Sequence, residues 1–593
     1  MRNGNFRARA VWPQCAFLAL CVPDAALASA RGFSAAGGLS AIVAFFVLFC
    51  FALLTARWAA EKSREDIRCH PELRTINGFQ NGFALAGSYI SVAALLGIPA
   101  LMTDRSHLAA VFLLGFFVGW PLLSLLFAER LRNLGGYTFA DFIARRFPGA
   151  DSLRAFLALA SLAVILPFLA AQLLCAGQIL CLLFDLEYWL AVVVAAVLLL
   201  MYSGMNGQIA ATWLHIVKFF VLACGLLVFA GCLLWELGFD ARGLFARALA
   251  LKSSLAGDEA LLARETLPWA RDLGVDADAR MRFFFFPMAH DVFALYSLAL
   301  TMLLGCLGLP HVLPRFSAVP NASEARKSAL WASLWIGFAS ILIGVTGLGL
   351  AAIHRVNRFL DSAPILEEGG NLAALYMVRA LGSDIFMGAF AAVLLFSLTA
   401  VSVGLSHSAS AAIAHDVYAL ALRHGRGKPD WESRLIRVTP LFLFLFAVLL
   451  ALALARGNLA LILAFAFSVA ASSTAPLLMA SLFWRGVTSL GLLLGGAAGL
   501  LYALGAGFVP LLASAGGSVF ADAQEALTLP TLFGAALCFS VTGVVSLLDR
   551  SQRAKRERAG WEKYDFRMAT GLKLADSSAA GSDSEGASAD GAA

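Results

Sequence analysis

The chain has 593 residues; 60% fall in the set AVILMFWYC and only 14% are charged. Soluble globular chains carry about 45–50% apolar and roughly 25% charged residues. That composition excludes a soluble enzyme, a disordered scaffold and a nucleic-acid binder, and leaves a polytopic membrane protein. The formal net charge of +6 says little until its placement is known. Apolar runs are continuous and do not alternate, which selects membrane helices over a β-barrel. The ten cysteines lie mainly within apolar runs, with no CxxC and no His/Cys cluster, and read as small buried hydrophobes.

At the N-terminus Arg2, Arg7 and Arg9 precede a mostly apolar stretch from Val11 to Val22, and then the small-residue run Ala26 to Ala30. This is the layout of a signal peptide over 1–30, whose removal would leave the mature N-terminus outside. An uncleaved anchor is the alternative. Apolar runs long enough to cross a bilayer follow at 37–57, 79–103, 108–128, 153–184, 188–204, 209–236, 286–309, 329–353, 383–420, 438–455, 459–484, 487–514 and 530–549. These predict an all-α protein of about 13 transmembrane helices, with one transmembrane domain over 37–549. With the N-terminus outside, the basic residues gather on the inner side. They include Arg57 to Arg74, Arg130 to Arg146, Arg315 to Lys327, Arg423 to Arg437, and the segment from Arg550 to Lys573. This agrees with the signal peptide and puts the C-terminus in the cytoplasm of a bacterial-type inner (plasma) membrane. The tail over 550–593 is basic first, predicted to lie at the anionic inner surface, and then rich in Ser, Ala, Gly and Asp, predicted as disordered.

Polar and helix-breaking residues at membrane depth mark four spans. Span two carries Gly87, Ser88 and Ser91 in its middle, with Gly97 and Pro99 further on. A broken helix there frees backbone carbonyls for a cation and amides for a carboxylate; a packing seam of small residues is the alternative. Span six carries His215 and Lys218, three apart and so on one face. Lys218 either snorkels to the interface or places an ammonium near a cation site, where it would gate or replace the ion. Span seven ends Gly305-Cys-Leu-Gly308-Leu-Pro310-His311, a second Gly/Pro-interrupted segment five spans after the first. That spacing is what an inverted repeat of spans two to six and seven to eleven would give. Span nine holds Ser397, Thr399, Ser402, Ser406, His407 and Ser408. His407 reads either as a buried, hydrogen-bonded histidine or as part of a pathway. No Arg lies deep in a span to clamp a carboxylate, so an anionic solute would rely on helix-end amides and hydroxyls.

Several stretches in order along the chain resemble the sodium:solute symporter family, and most closely its cation–acetate symporter (acetate permease) branch. They are Gly78 to Pro99, Phe116 to Asp141, Ala211-Thr212-Trp213, Gly308 to Phe316, Ala325 to Ser328, His415 to Ala419, and Phe465 to Ser472 with Pro476. The resemblance implies a five-plus-five inverted-repeat core and alternating access driven by a cation gradient, sodium before protons. It implies a cation site between spans two and nine, with carbonyls of Gly87 and Ile90 as ligands. Ser397, Thr399 and Ser402 are the hydroxyls available to it, since the family's hydroxyl pair has no match in register. The branch places a carboxylate where Ser88 stands. Ser88, Ser91, Ser406, His407, Gly305 and Gly308 are then assigned to the solute path, and His215 and Lys218 to coupling or gating. The expected function is import of a small organic anion, acetate or another short monocarboxylate, with no cofactor beyond the coupling ion. A proton-coupled symporter of an amino acid or a longer carboxylate is the alternative. An enzyme would need a metal or acid/base cluster within the spans, and the sequence shows none. A transporter-like sensor would carry an output domain, for which the tail is too short.

Overall fold

The computed structural model describes residues 38–69, 76–104, 106–203, 208–239, 292–353, 370–455, 457–513 and 530–572. The predicted signal segment and the end of the tail lie outside them. Where they are described, the predicted spans fall largely on helix. Among the described residues nine helices are long and apolar enough to cross a membrane, one bent pair qualifies as a unit, and three shorter apolar helices stand where spans one, five and seven are expected.

The first helix, α1 (Leu39–Cys69), is followed by the bent pair α2 (Gly78–Tyr89) and α3 (Val92–Asp104). Then come α4 (Ser106–Leu126), short helices α5 (Ala128–Leu134) and α6 (Phe139–Ala144), α7 (Asp151–Phe184), α8 (Tyr188–Ser203) and α9 (Gln208–Glu236). The second half starts with α10 (Val292–Leu307), a 3₁₀ turn (Leu313–Ala318), α11 (Ala322–Ile353), α12 (Ala373–Leu381) and α13 (Asp384–Ala411). A π-helical stretch, Ala412–Leu422, prolongs α13. It is followed by α14 (Pro429–Ala453), α15 (Leu459–Ser472), α16 (Thr474–Phe483), α17 (Ser489–Ala513) and α18 (Pro530–Leu548). Two helices, α19 (Gln552–Ala559) and α20 (Trp561–Thr570), close the described chain.

The break in span two has a local cause. Asn77 caps α2 through a reciprocal capping box with Gln80. The helix ends at Ile90, which is extended (φ −68°, ψ 107°), with its N–H still bonded to Ala86 O. The next helix starts under a cap of its own, Ser91 Oγ accepting from Ala94 N at 3.3 Å. The two halves meet at 54°. Span seven is interrupted after Leu307, where Gly308 N bonds back to Gly305 O at 3.0 Å, and Pro310 has no donor to continue a helix.

The segment predicted to lie at the inner membrane surface also packs against the protein. Tyr564 Oη donates to Phe142 O at 2.8 Å. The Glu557 carboxylate accepts from Ser489 N at 2.8 Å and Ser489 Oγ at 2.5 Å. The Arg146 guanidinium lies over the Trp561 ring at 4.3 Å and donates to Ser481 O and Arg485 O. Burial pushes Arg146 down to about 10, against the pull of Tyr564 and Glu557. The sequence shows the charge of this segment but not the complementary carbonyls and ring that fix it.

Candidate functional site

The helix break leaves carbonyls near Gly87 without the N–H partners that a continuous helix would supply. The donor comes from α9. Lys218 Nζ donates to Gly87 O at 2.6 Å and to Ile90 O at 2.5 Å. Lys218 is 0% exposed, so it does not snorkel. The close approach of α2 to α9 depends on Gly87: a Cβ there would collide with the backbone carbonyl of His215. Two expectations made separately, carbonyls in span two and an ammonium in span six, thus meet at one point.

The other residues assigned to the cation distribute less neatly. Ser397 Oγ and Thr399 Oγ1 each donate at 2.8 Å to carbonyls four residues back, Val393 O and Leu395 O. That back-bonding turns their protons away and leaves lone pairs free. Ser402 is buried, and its hydroxyl has no partner. Ser88 is likewise buried with an unpartnered hydroxyl, in the place of the branch's carboxylate.

Among the path residues, Ser91 caps α3, and Ser406 shares a 2.5 Å bond with Ser203 of α8. Gly305 and Gly308 belong to a packing seam. A Cβ on Gly305 would press on Phe467 O at 2.6 Å, and one on Gly308 on Thr474 Oγ1 at 2.6 Å. Thr474 Oγ1 in turn donates to Gly308 O at 2.7 Å. The small residues there allow contact with α15 and α16, and neither glycine lines the cavity that follows Pro310 and His311.

That cavity is walled by Tyr137, His311, Arg315, Gly404, His407 and Asp416, among others. Tyr137 in its wall is 39% exposed. A column of rings, Tyr89 on Phe116 (4.3 Å), then Phe467 and Phe168, runs from the break to His311. His407 lies edge-on to Tyr137 at 6.4 Å, and its Nε2 has no partner.

Two features were missed in the sequence. One is Arg315. It sits in a loop by sequence, yet is only 6% exposed and faces the cavity. No Arg is expected deep in a span; Arg315 comes instead from the 3₁₀ turn after the span-seven break, which carries its side chain inward. The other is a buried ion-pair cluster. Arg154 Nη1 bonds Asp141 Oδ1 at 2.8 Å and Asp416 Oδ1 at 2.9 Å, and Thr138 Oγ1 donates to Asp416 Oδ1 at 2.9 Å. His415 Nε2 lies 3.7 Å from Asp141 Oδ2. Burial would raise the Asp141 carboxyl, but the hydrogen bonds from His415 and Arg154 outweigh it and hold the group well below the usual carboxylate range. The cluster ties α6 and α7 to the π-helical end of α13. His415 and both acids were visible as motif residues, but their common partner Arg154 lies in no motif.

The sequence matches the sodium:solute symporter family over residues 73–499. A solved structure of a Na⁺-coupled sialic acid symporter, substrate-bound and outward-open, aligns with a TM-score of 0.64 at 14% identity, over 86% of this chain and 98% of that one. A nucleobase-cation-symport-1 family transporter, in a closed conformation with bromovinylhydantoin bound, aligns with a TM-score of 0.45 at 14% identity, over 82% and 96%. At such identities the first likeness speaks for a common fold: an all-helical polytopic transporter with a five-plus-five inverted-repeat core.

Proposed function

The chain belongs to the sodium:solute symporter family, and on that premise we propose that it imports acetate or another short monocarboxylate with sodium, across a bacterial-type inner membrane. The family uses sodium as its coupling ion. The observation that carries the mechanism is the pair of freed carbonyls at Gly87 and Ile90, held together by one cationic group. Two convergent oxygens at the turn between half-helices are a seat for a hard cation. Lys218 fills that seat, and two positive charges cannot share it: their repulsion is on the order of a few kcal/mol in a partly buried site. Sodium entry therefore displaces Lys218, and Lys218 returns when sodium leaves. This exchange ties the state of α9 to the presence of the ion. The preference for a short monocarboxylate draws support from the acetate-branch resemblance of Gly308 to Phe316 and His415 to Ala419.

A second reading, proton coupling through Lys218, is favoured by the same contact. A desolvated lysine that gives up its proton would vacate the carbonyls without any sodium. Uptake of labelled acetate, propionate, pyruvate and proline into vesicles, under an imposed sodium or proton gradient, tests both. Sodium-driven acetate uptake that survives collapse of the proton gradient is expected. Uptake that ignores sodium and is lost in Lys218→Ala would transfer the role to protons. Proline as the preferred solute would replace the monocarboxylate with an amino acid.

A further inference from the structure

Arg315 is a buried guanidinium with an unfilled recognition edge. Its Nη1 donates to Thr212 Oγ1 of α9 at 3.2 Å. Its Nε is buried and meets no partner. Its Nη2 points at Gly404 of α13: a Cβ built there would lie 3.7 Å from Arg315 Nη2 and 2.8 Å from His215 Nε2. Arg315 and Gly404 both line the cavity. His311 and His407 border the same cavity, and His311 Nδ1 and Nε2 and His407 Nε2 are also buried without partners. Among the described residues, Asp416 is the acid in the cavity wall, and it is already held by Arg154 and Thr138.

A buried cation without a counter-charge is costly, and buried donors without acceptors add to that cost. The arrangement is complete only with an anion present. The two parallel N–H groups along the Nε–Nη2 side match the two oxygens of one carboxylate. We propose that Arg315 is the carboxylate-binding residue of the solute site: the solute's carboxylate enters the cavity and pairs with the Arg315 guanidinium, with His311 and His407 as further donors. The proposal rests on the monocarboxylate reading and names the group that enforces it.

The test is binding of labelled acetate and propionate to the purified full-length protein in sodium-containing buffer, with propionamide, proline and chloride as competitors. Wild type is expected to bind both acids and to ignore propionamide and proline. R315Q is expected to lose binding by about 30- to 100-fold, the scale of a charge-assisted bond left unmade. Should R315Q fail to fold, R315K decides: it keeps the charge without the fork, and the KM for acetate uptake rises about tenfold or more while kcat is largely kept. Acid binding by R315Q or an unchanged KM in R315K would overturn the assignment and leave the monocarboxylate reading standing. A wild type that binds proline or propionamide in preference to the acids, or is occupied by chloride alone, or binds none of the probes, would overturn that reading and the assignment with it.

Discussion

Gly87 shows how much one missing side chain governs. A Cβ there would strike the His215 backbone carbonyl, so a larger residue pushes α2 off α9 and separates Lys218 from its two acceptors. Gly87→Val is expected to abolish uptake while the protein still reaches the membrane; uptake at the normal rate would refute the role given to the break. Lys218 works in the opposite sense. Lys218→Ala leaves two buried carbonyls without a donor, and each such group costs about 1–3 kcal/mol. The variant should be less stable in sodium-free buffer and should recover part of the loss when sodium is added. A variant with no sodium-dependent shift in its thermal midpoint would argue against sodium at those carbonyls. At this scale the sequence is informative where a residue type is out of place. Lysine amid apolar residues and glycine before a break both stand out. Arg315 does not, because an arginine in a connecting segment looks ordinary until the turn after Pro310 directs it inward.

Among the elements, the two interruptions play different parts although their sequences look alike. Both combine glycine and proline. The one in span two opens carbonyls to Lys218, while Gly305 and Gly308 in span seven make room for α15 and α16. Pattern alone cannot separate a functional break from a packing seam, since both require small residues; only the neighbour decides. Elements also meet at the Arg154 cluster, which joins α6, α7 and the π-helical stretch. Arg154→Gln leaves Asp141 and Asp416 facing each other unpaired, at a cost of about 3–5 kcal/mol. The pH dependence has a definite sign. In wild type the Asp141 carboxyl is held down, so its contribution is present above the ordinary carboxylate value and lost only as pH falls through the lower folded one. In the variant, proton uptake by one acid relieves the repulsion. Its thermal midpoint should therefore rise more steeply than that of wild type from pH 7.5 to about pH 5. A variant whose stability falls in parallel with wild type would remove the cluster from the account.

For the whole molecule, hydropathy was enough to find the apolar helices among the described residues, because lipid imposes one length and one composition on all of them. It gave no hint that α19 and α20 would dock through Glu557, Tyr564 and Trp561. Such docking relies on a few specific polar and ring contacts that no periodicity encodes. A chain ending at Asp549 should have a lower thermal midpoint than the full chain, and an unchanged one would show the docking to be idle. We propose, from the placement of basic residues, that this face of the protein lies in the cytoplasm. A reporter fused after Gly560 should accordingly be active only in its cytoplasmic form, and activity confined to the outside would invert the topology. The central claim is that the Gly87 and Ile90 carbonyls are a sodium seat coupled to solute entry. It is tested most directly by counting radiolabelled sodium entering proteoliposomes of the full-length protein when acetate is supplied outside. The account predicts acetate-dependent sodium entry in wild type, insensitive to a proton uncoupler and absent in Gly87→Val. Acetate entry with no accompanying sodium, or sodium entry equal in wild type and Gly87→Val, would contradict it.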